Sequence, residues 1–254
     1  GDPFQIEPVV TIPEQIINNF SRYFGLDKTQ IHTSLSVQSM ADRANPYGWI
    51  TNDTWTGSPL RVHRRCIDPM FSIANEIAYN NMMYNSTQGG PSDLMMQNRF
   101  VQVEGQVCGR HYVPEQGTVI KLMIMDEIRQ LQDLPDLFVI SPFSEIPFVL
   151  KKELRQPIKQ ALAPFKPIGD DELKKWLDAH IGTVHTFQGK QAAGVILCLG
   201  LDEKTKGAAG WASSKPNLLN VALTRAKLRF VAVGDGKVWL GQPYFCKLKG
   251  LSSK

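Results

Sequence analysis

Three short runs hold almost nothing but apolar residues: 137–140 (Leu-Phe-Val-Ile), 195–199 (Val-Ile-Leu-Cys-Leu) and 230–233 (Phe-Val-Ala-Val). A strand with one wet face alternates apolar and polar residues. An unbroken apolar run of this length needs cover on both faces, as in a parallel sheet packed between helices. Residues 181–184 add a fourth strand signal. Helical patterns separate these runs, and 137–140 is followed by a polar turn (Ser141-Pro142-Phe143) and a helix over 145–162. Strands alternating with helices predict an α/β fold: an open, mostly parallel sheet with right-handed crossovers and helices on both faces.

The remaining chain is read around that sheet. Residues 13–24 predict a helix with Pro13 in its first turn and Ile16, Ile17, Phe20 and Phe24 at helical spacing. A second short helix is expected over 35–43, and 45–59, rich in Gly, Asn, Thr and Trp, reads as a loop. Residues 60–66 read as a basic strand end before a helix over 69–79 with Met70, Ile73, Ala74 and Ile77 on one side. Residues 85–91 form a turn-rich break. Residues 100–103 and 106–112 predict a short β excursion around Glu104-Gly105, a small decoration on the fold. The helix over 114–132 carries Val119, Leu122, Met123 and Ile128 on its expected buried side. In the helix over 145–162, Pro157 is expected to kink or end it.

Composition sets limits. The chain is 43% apolar and 9% aromatic, ample for a core. A net charge of +4 permits an anionic partner without demanding one. The four cysteines are far apart, so no CxxC metal or redox motif exists. Cys198 reads as core, and the protein as reduced, intracellular and cytoplasmic. No apolar stretch reaches the roughly 18 residues of a membrane helix. Gly1-Asp2-Pro3, without a basic n-region or initiator Met, reads as the start of an excised fragment or processed chain.

Two stretches carry chemistry. The first is Thr183-Val184-His185-Thr186-Phe187-Gln188-Gly189-Lys190-Gln191, a polar turn between two strand signals. Gly189 would let the backbone approach a ligand. Hydroxyl, imidazole and amide groups suit phosphate and sugar contacts on a nucleic-acid backbone, although a lone His185 is also what a structural histidine looks like. The second is Asn220-Val221-Ala222-Leu223-Thr224-Arg225-Ala226-Lys227. Over a helix spanning 217–227, Leu219, Ala222, Leu223 and Ala226 form a stripe, and Arg225 falls about 110° from its centre at ~100° per residue. That is the flank of the buried face. A guanidinium there can serve as an arginine finger or be a plain exposed arginine. Arg65, between a strand end and a helix, is expected to reach a ligand at a strand's carboxyl end.

With Gly1-Asp2-Pro3-Phe4-Gln5, His63-Arg64-Arg65 and Ser141-Pro142-Phe143, these stretches stand in the order of the motifs of superfamily 1 helicases. The chain resembles that family over nearly its whole length. The branch it is most similar to holds the nonsense-mediated-decay helicase and the Okazaki-fragment nuclease-helicase. The resemblance implies a RecA-like second motor domain of P-loop NTPase type that lacks the P-loop itself. Residues 1–12 would end the first such domain and residues 13–254 form the second, with an insertion at about 85–113. Gln5 would sense the γ-phosphate, and Arg65 and Arg225 would reach it across the cleft. Asp2, Gln188, Gly189 and Gln191 would face the nucleotide. Thr183, His185 and Ser141 would lie on the nucleic-acid track, with no metal ligand on this chain.

Two residues depart from the family pattern. Gln191 stands where a ribose-binding Glu is usual, and Ile146 where a Gln is usual. No Gly-x-x-x-x-Gly-Lys-Ser/Thr occurs, so no loop of this chain cradles phosphates. The expected cofactors, ATP and Mg2+, therefore belong to the larger parent, with none bound tightly here. The expected partners are the missing first RecA-like domain and single-stranded nucleic acid, DNA favoured over RNA, and no membrane. The competing reading is a degenerate helicase-like module that binds nucleic acid or protein without ATPase activity.

Overall fold

The computed structural model describes residues 2–7, 11–27, 31, 35–51 and 54–252. The helices are α1 (Glu14–Phe24), α2 (Val37–Ala44), α3 (Met70–Tyr79), α4 (Pro114–Leu131), α5 (Glu145–Leu162), α6 (Asp170–His180), α7 (Gly207–Ala212), α8 (Asn217–Leu223) and α9 (Gly236–Trp239). The strands are β1 (Gly48–Thr51), β2 (Thr54–Gly57), β3 (Val62–His63), β4 (Tyr84–Asn85), β5 (Arg99–Gln102), β6 (Leu137–Ser141), β7 (Ile181–Thr183), β8 (Ala192–Cys198) and β9 (Ala226–Gly234).

Five strands form one sheet in the order β5-β9-β8-β6-β7, and every pairing in it is parallel. The apolar runs lie where the pattern places them: every residue of β6 is buried. Right-handed crossovers then decide the faces. The connections from β5 to β6 and from β6 to β7 run one way across the sheet and put α4, α5 and α6 on one face. Those from β7 to β8 and from β8 to β9 run back and put α8 on the other. On the first face Ile120, Ile124 and Ile128 of α4 are wholly buried beside Leu150, Leu154 and Ile158 of α5, each contributing about 1.5–3 kcal/mol. On the second, every residue of α8 is buried because the sheet, α3 and the segment 2–7 close around it.

Several expectations are corrected. The segment 45–59 is not a loop; it holds an antiparallel hairpin of β1 and β2. Residues 99–102 are not half of a separate excursion but the edge strand of the main sheet, paired with β9. Of 106–112 only an isolated Cys108–Tyr112 bridge is strand-like. The small β decoration of the fold lies instead in the hairpin and in the β3–β4 pair. On α4 the buried face is turned from the expected one, leaving Leu122 53% exposed. On α1 only Ile17 is buried, and Ile16, Phe20 and Phe24 are exposed. Pro157 sits inside an uninterrupted α5. No helix among the described residues is long and apolar enough to cross a membrane, and all four cysteines are free thiols.

Candidate nucleotide and nucleic-acid site

The helix carrying the second stretch is shorter than its stripe. α8 stops at Leu223, Thr224 caps it, and β9 opens at Ala226. Arg225 therefore lies in the bend between helix and strand, fully buried and not on a helix flank facing the surface. Its Nε donates to Val221 O at 3.1 Å, and its Nη1 to Lys190 O at 2.9 Å and Phe187 O at 3.4 Å. Its Nη2 donates to Thr224 Oγ1 at 3.1 Å. The guanidinium thus staples the two motif stretches together. Burial, and then the nearby Arg65 charge, hold its pKa at about 10, so it stays cationic at neutral pH.

The loop it holds begins as a 3-10 turn, Val184–Phe187, capped by Thr183 and anchored by the buried Val184 and Phe187. Thr183 Oγ1 accepts from Thr186 N–H at 3.4 Å and contacts Thr186 Oγ1 at 3.0 Å. Gly189 has φ +87° with open space where a Cβ would stand. Its glycine is needed for backbone conformation rather than for room. His185, Gln188, Gly189, Lys190 and Gln191 are all exposed.

Residues 2–7 dock onto α3 and α8. Phe4 is buried, edge-on to Tyr79 at 5.5 Å. Asp2 Oδ2 accepts from Tyr79 Oη at 2.6 Å and from Gln5 Nε2 at 3.4 Å, while its Oδ1 accepts from Phe4 N–H at 3.0 Å. Asn220 Nδ2 donates to Phe4 O at 2.8 Å and Tyr79 Oη at 3.0 Å, and Asn217 Nδ2 donates to Gln5 O at 2.5 Å. Gln188 Nε2 reaches Ile6 O at 3.4 Å.

Asp2, Gln5 and Arg65 line one cleft of about 360 Å³ with His63, Tyr79 and Thr224. Arg65 is exposed. Arg65 stands between the carboxyl end of β3 and α3, but β3 lies outside the main sheet, and Ile67 N–H donates to Lys227 O at the start of β9. The cleft thus lies at the carboxyl end of β3, where Val62, His63 and Arg65 line it, and abuts the amino end of β9. Beside it, His63 Nε2 accepts from Cys66 N–H at 3.0 Å. Burial and then the Arg65 charge lower the His63 pKa to about 4, and burial first of all pushes the Cys66 thiol up to about 12. Both are neutral at pH 7, so Cys66 is packing rather than a nucleophile.

Ser141 and Thr183 are register partners at the carboxyl ends of β6 and β7. Ser141 is buried, its Oγ accepting from Phe143 N–H at 3.2 Å. His185 and Gln188 line a wider cleft that also meets Asp2, Gln5 and Arg43. Although the surface of His185 is exposed, partial desolvation by the walls of that cleft lowers its pKa. The structure thus gathers Asp2, Gln5, Arg65 and Gln188 around one corner, with Arg225 just behind it and Ser141 across the sheet.

Sequence reasoning missed Tyr79, Asn217 and Asn220, which hold the segment 2–7 in place. Two Asn three apart in an otherwise apolar helix were a usable signal, because buried amides need partners. Among the described residues no three His, Cys, Asp or Glu side chains cluster to hold a metal.

The chain matches a family model described as AAA domain over residues 55–237. No curated protein matches it. The match takes in the sheet, Arg65, the turn at 183–191 and Arg225, more than half of the chain. The chain belongs to the AAA-domain family, in the helicase-like form found in superfamily 1 helicases.

Proposed function

We propose that this chain is the second motor domain of an ATP-dependent superfamily 1 helicase or translocase, of the branch holding the nonsense-mediated-decay helicase and the Okazaki-fragment nuclease-helicase. The observation that carries the reading is the convergence of Asp2, Gln5 and Arg65 on one cleft with the cationic Arg225 directly behind it. A phosphoryl group being transferred spreads negative charge over its oxygens, and a guanidinium fork placed there stabilises that charge. Arg65 is exposed and suited to the task. Gln5 supplies an amide that can sense the γ-phosphate. ATP would arrive with Mg2+ held by groups outside this chain, on the partner motor domain that supplies the phosphate loop. Single-stranded nucleic acid, DNA before RNA, would follow Thr183 and His185, with the buried Ser141 supporting the track from beneath.

The test is ATP turnover by the motor pair, this chain together with its proposed first domain, with and without single-stranded DNA or RNA. Nucleic-acid-stimulated turnover that falls about 10³-fold or more in Arg65→Ala is the expected result. Turnover unchanged in that variant, or full turnover by this chain alone, overturns the reading. A second reading, a binding module without ATPase activity, draws on the internal hydrogen bonds of Arg225, which give that arginine a structural task. It predicts no turnover from a folded motor pair.

A further inference from the structure

Arg65 is exposed, and its guanidinium makes no hydrogen bond or ion pair among the described residues. Its aim is therefore set by the backbone that carries it. That backbone is the turn 64–67 between β3 and α3, with no strand or helix ladder of its own. Both ends of the turn are tied. His63 O accepts from Ser86 N–H at 2.9 Å before it. After it, Ile67 N–H donates to Lys227 O at 3.2 Å, and Asp68 Oδ1 accepts from Ser72 N–H at 3.0 Å in the first turn of α3. In the middle, directly after Arg65, a side chain does the holding. His63 Nε2 accepts from Cys66 N–H at 3.0 Å and lies 3.1 Å from Cys66 Sγ.

Cys66 is fully buried, so water cannot replace that acceptor. An amide N–H only donates; Nε2 must therefore carry the lone pair, and the ring proton sits on Nδ1. The ring is neutral at pH 7, its pKa lowered to about 4 by burial and then by the Arg65 charge. It is braced by Phe71, with ring centroids 5.2 Å apart. A charged ring would set a second donor against Cys66 N–H and a second cation beside Arg65. We propose that His63 is the positioning residue of Arg65: by accepting the Cys66 N–H it fixes the turn that aims the guanidinium into the cleft. The inference rests on the reading of Arg65 as the arginine that meets the transferred phosphoryl group. In it His63 touches no reacting atom. Its leverage is geometric, since a displacement of about 1 Å can cost on the order of 10²-fold in rate.

The experiment is a double-variant cycle on the motor pair with single-stranded nucleic acid present: His63→Ala, Arg65→Ala and the two combined. His63→Gln and His63→Asn are run beside them, every variant below its own melting temperature. His63→Ala is expected to lower kcat about 10²-fold and to leave KM for ATP nearly unchanged. The combined variant should be no slower than Arg65→Ala. Gln carries its amide oxygen to the place of Nε2, whereas Asn reaches only the place of Nδ1. His63→Gln should therefore recover most of the loss and His63→Asn little of it. Hydrogen exchange at the Cys66 amide of this chain should quicken in the Ala and Asn variants and not in Gln. Losses that multiply in the combined variant, full turnover or unchanged Cys66 exchange in His63→Ala, or better recovery by Asn than by Gln each overturn the proposal and leave the reading of Arg65 standing. Turnover unchanged in Arg65→Ala removes that reading, and the role of His63 with it.

Discussion

The two edges of the sheet use their polar side chains differently. At the carboxyl edge, Ser141 and Thr183 turn their hydroxyls to their own backbone, one toward Phe143 N–H and the other toward Thr186 N–H. At the amino edge, Arg225 is likewise spent on carbonyls of its own chain, yet Arg65 stands exposed beside it on an open cleft. Open parallel sheets commonly receive ligands at the carboxyl ends of their strands. Here the unspent cationic capacity sits at the opposite edge. A polar residue at a strand end is thus no guide to a site until its hydrogen bonds have been followed.

The largest expected effect tests the inward-turned arginine. Arg225→Ala leaves Phe187 O, Lys190 O and Val221 O without their donor and should cost about 3 kcal/mol, seen as a melting temperature about 6–12 °C lower. Arg225→Lys should recover part of that loss. An unchanged melting temperature would mean that the guanidinium does not hold this position in solution, and the contrast with Arg65 would collapse. Ser141→Ala should cost about 1 kcal/mol by stranding Phe143 N–H. If it instead spares stability and weakens oligonucleotide binding, the carboxyl edge is the more open of the two.

A smaller effect belongs to pH, because His63 is only half-buried. Its folded pKa of about 4 lies below its ordinary 6.5, so between these values the unfolded chain binds more protons. Stability is full above about pH 6.5 and falls as pH drops toward 4; protonation removes the acceptor for Cys66 N–H. Urea titrations at pH 7 and pH 4.5 should show that fall in the wild type and a flatter response in His63→Gln. The smallest effect on stability is expected for Arg65→Ala, within about 0.5 kcal/mol, as for an exposed side chain. A loss comparable with that of Arg225→Ala would make both arginines structural.

The sheet was legible in the sequence because burial on both faces leaves a run with no alternation, as in β6 and β8. The edge strand β5 was legible as a strand but not as part of that sheet, since Arg99 and Gln102 are exposed and the run looks like surface. The end of α8 was misread for a related reason. Ala226 continues the helical stripe, but it is buried as the first residue of β9, and periodicity cannot tell a helix face from a buried strand start. That error moved Arg225 to the surface. Asp2, Gln5 and Arg65 were recognised by motif and do share a cleft, whereas their support Tyr79 lies outside any motif, and Asn220, at the head of the second stretch, was given no role of its own. The hairpin of β1 and β2 was hidden by its turn-rich composition.

The pairing of β5 with β9 also governs when the chain can finish folding. The Asn98 side chain accepts from Phe230 N–H across 132 residues, and residues 3–5 wait for Asn217 and Asn220 in the same way. Contacts of such sequence separation make for slow folding. On a ribosome, β5 and the first residues emerge long before their partners and must stay unpaired until the last strand is made. A chain cut short before β9 would lack the strand on which β5 and β8 both pair, and the helices packed on that sheet would lose the burial that sustains them.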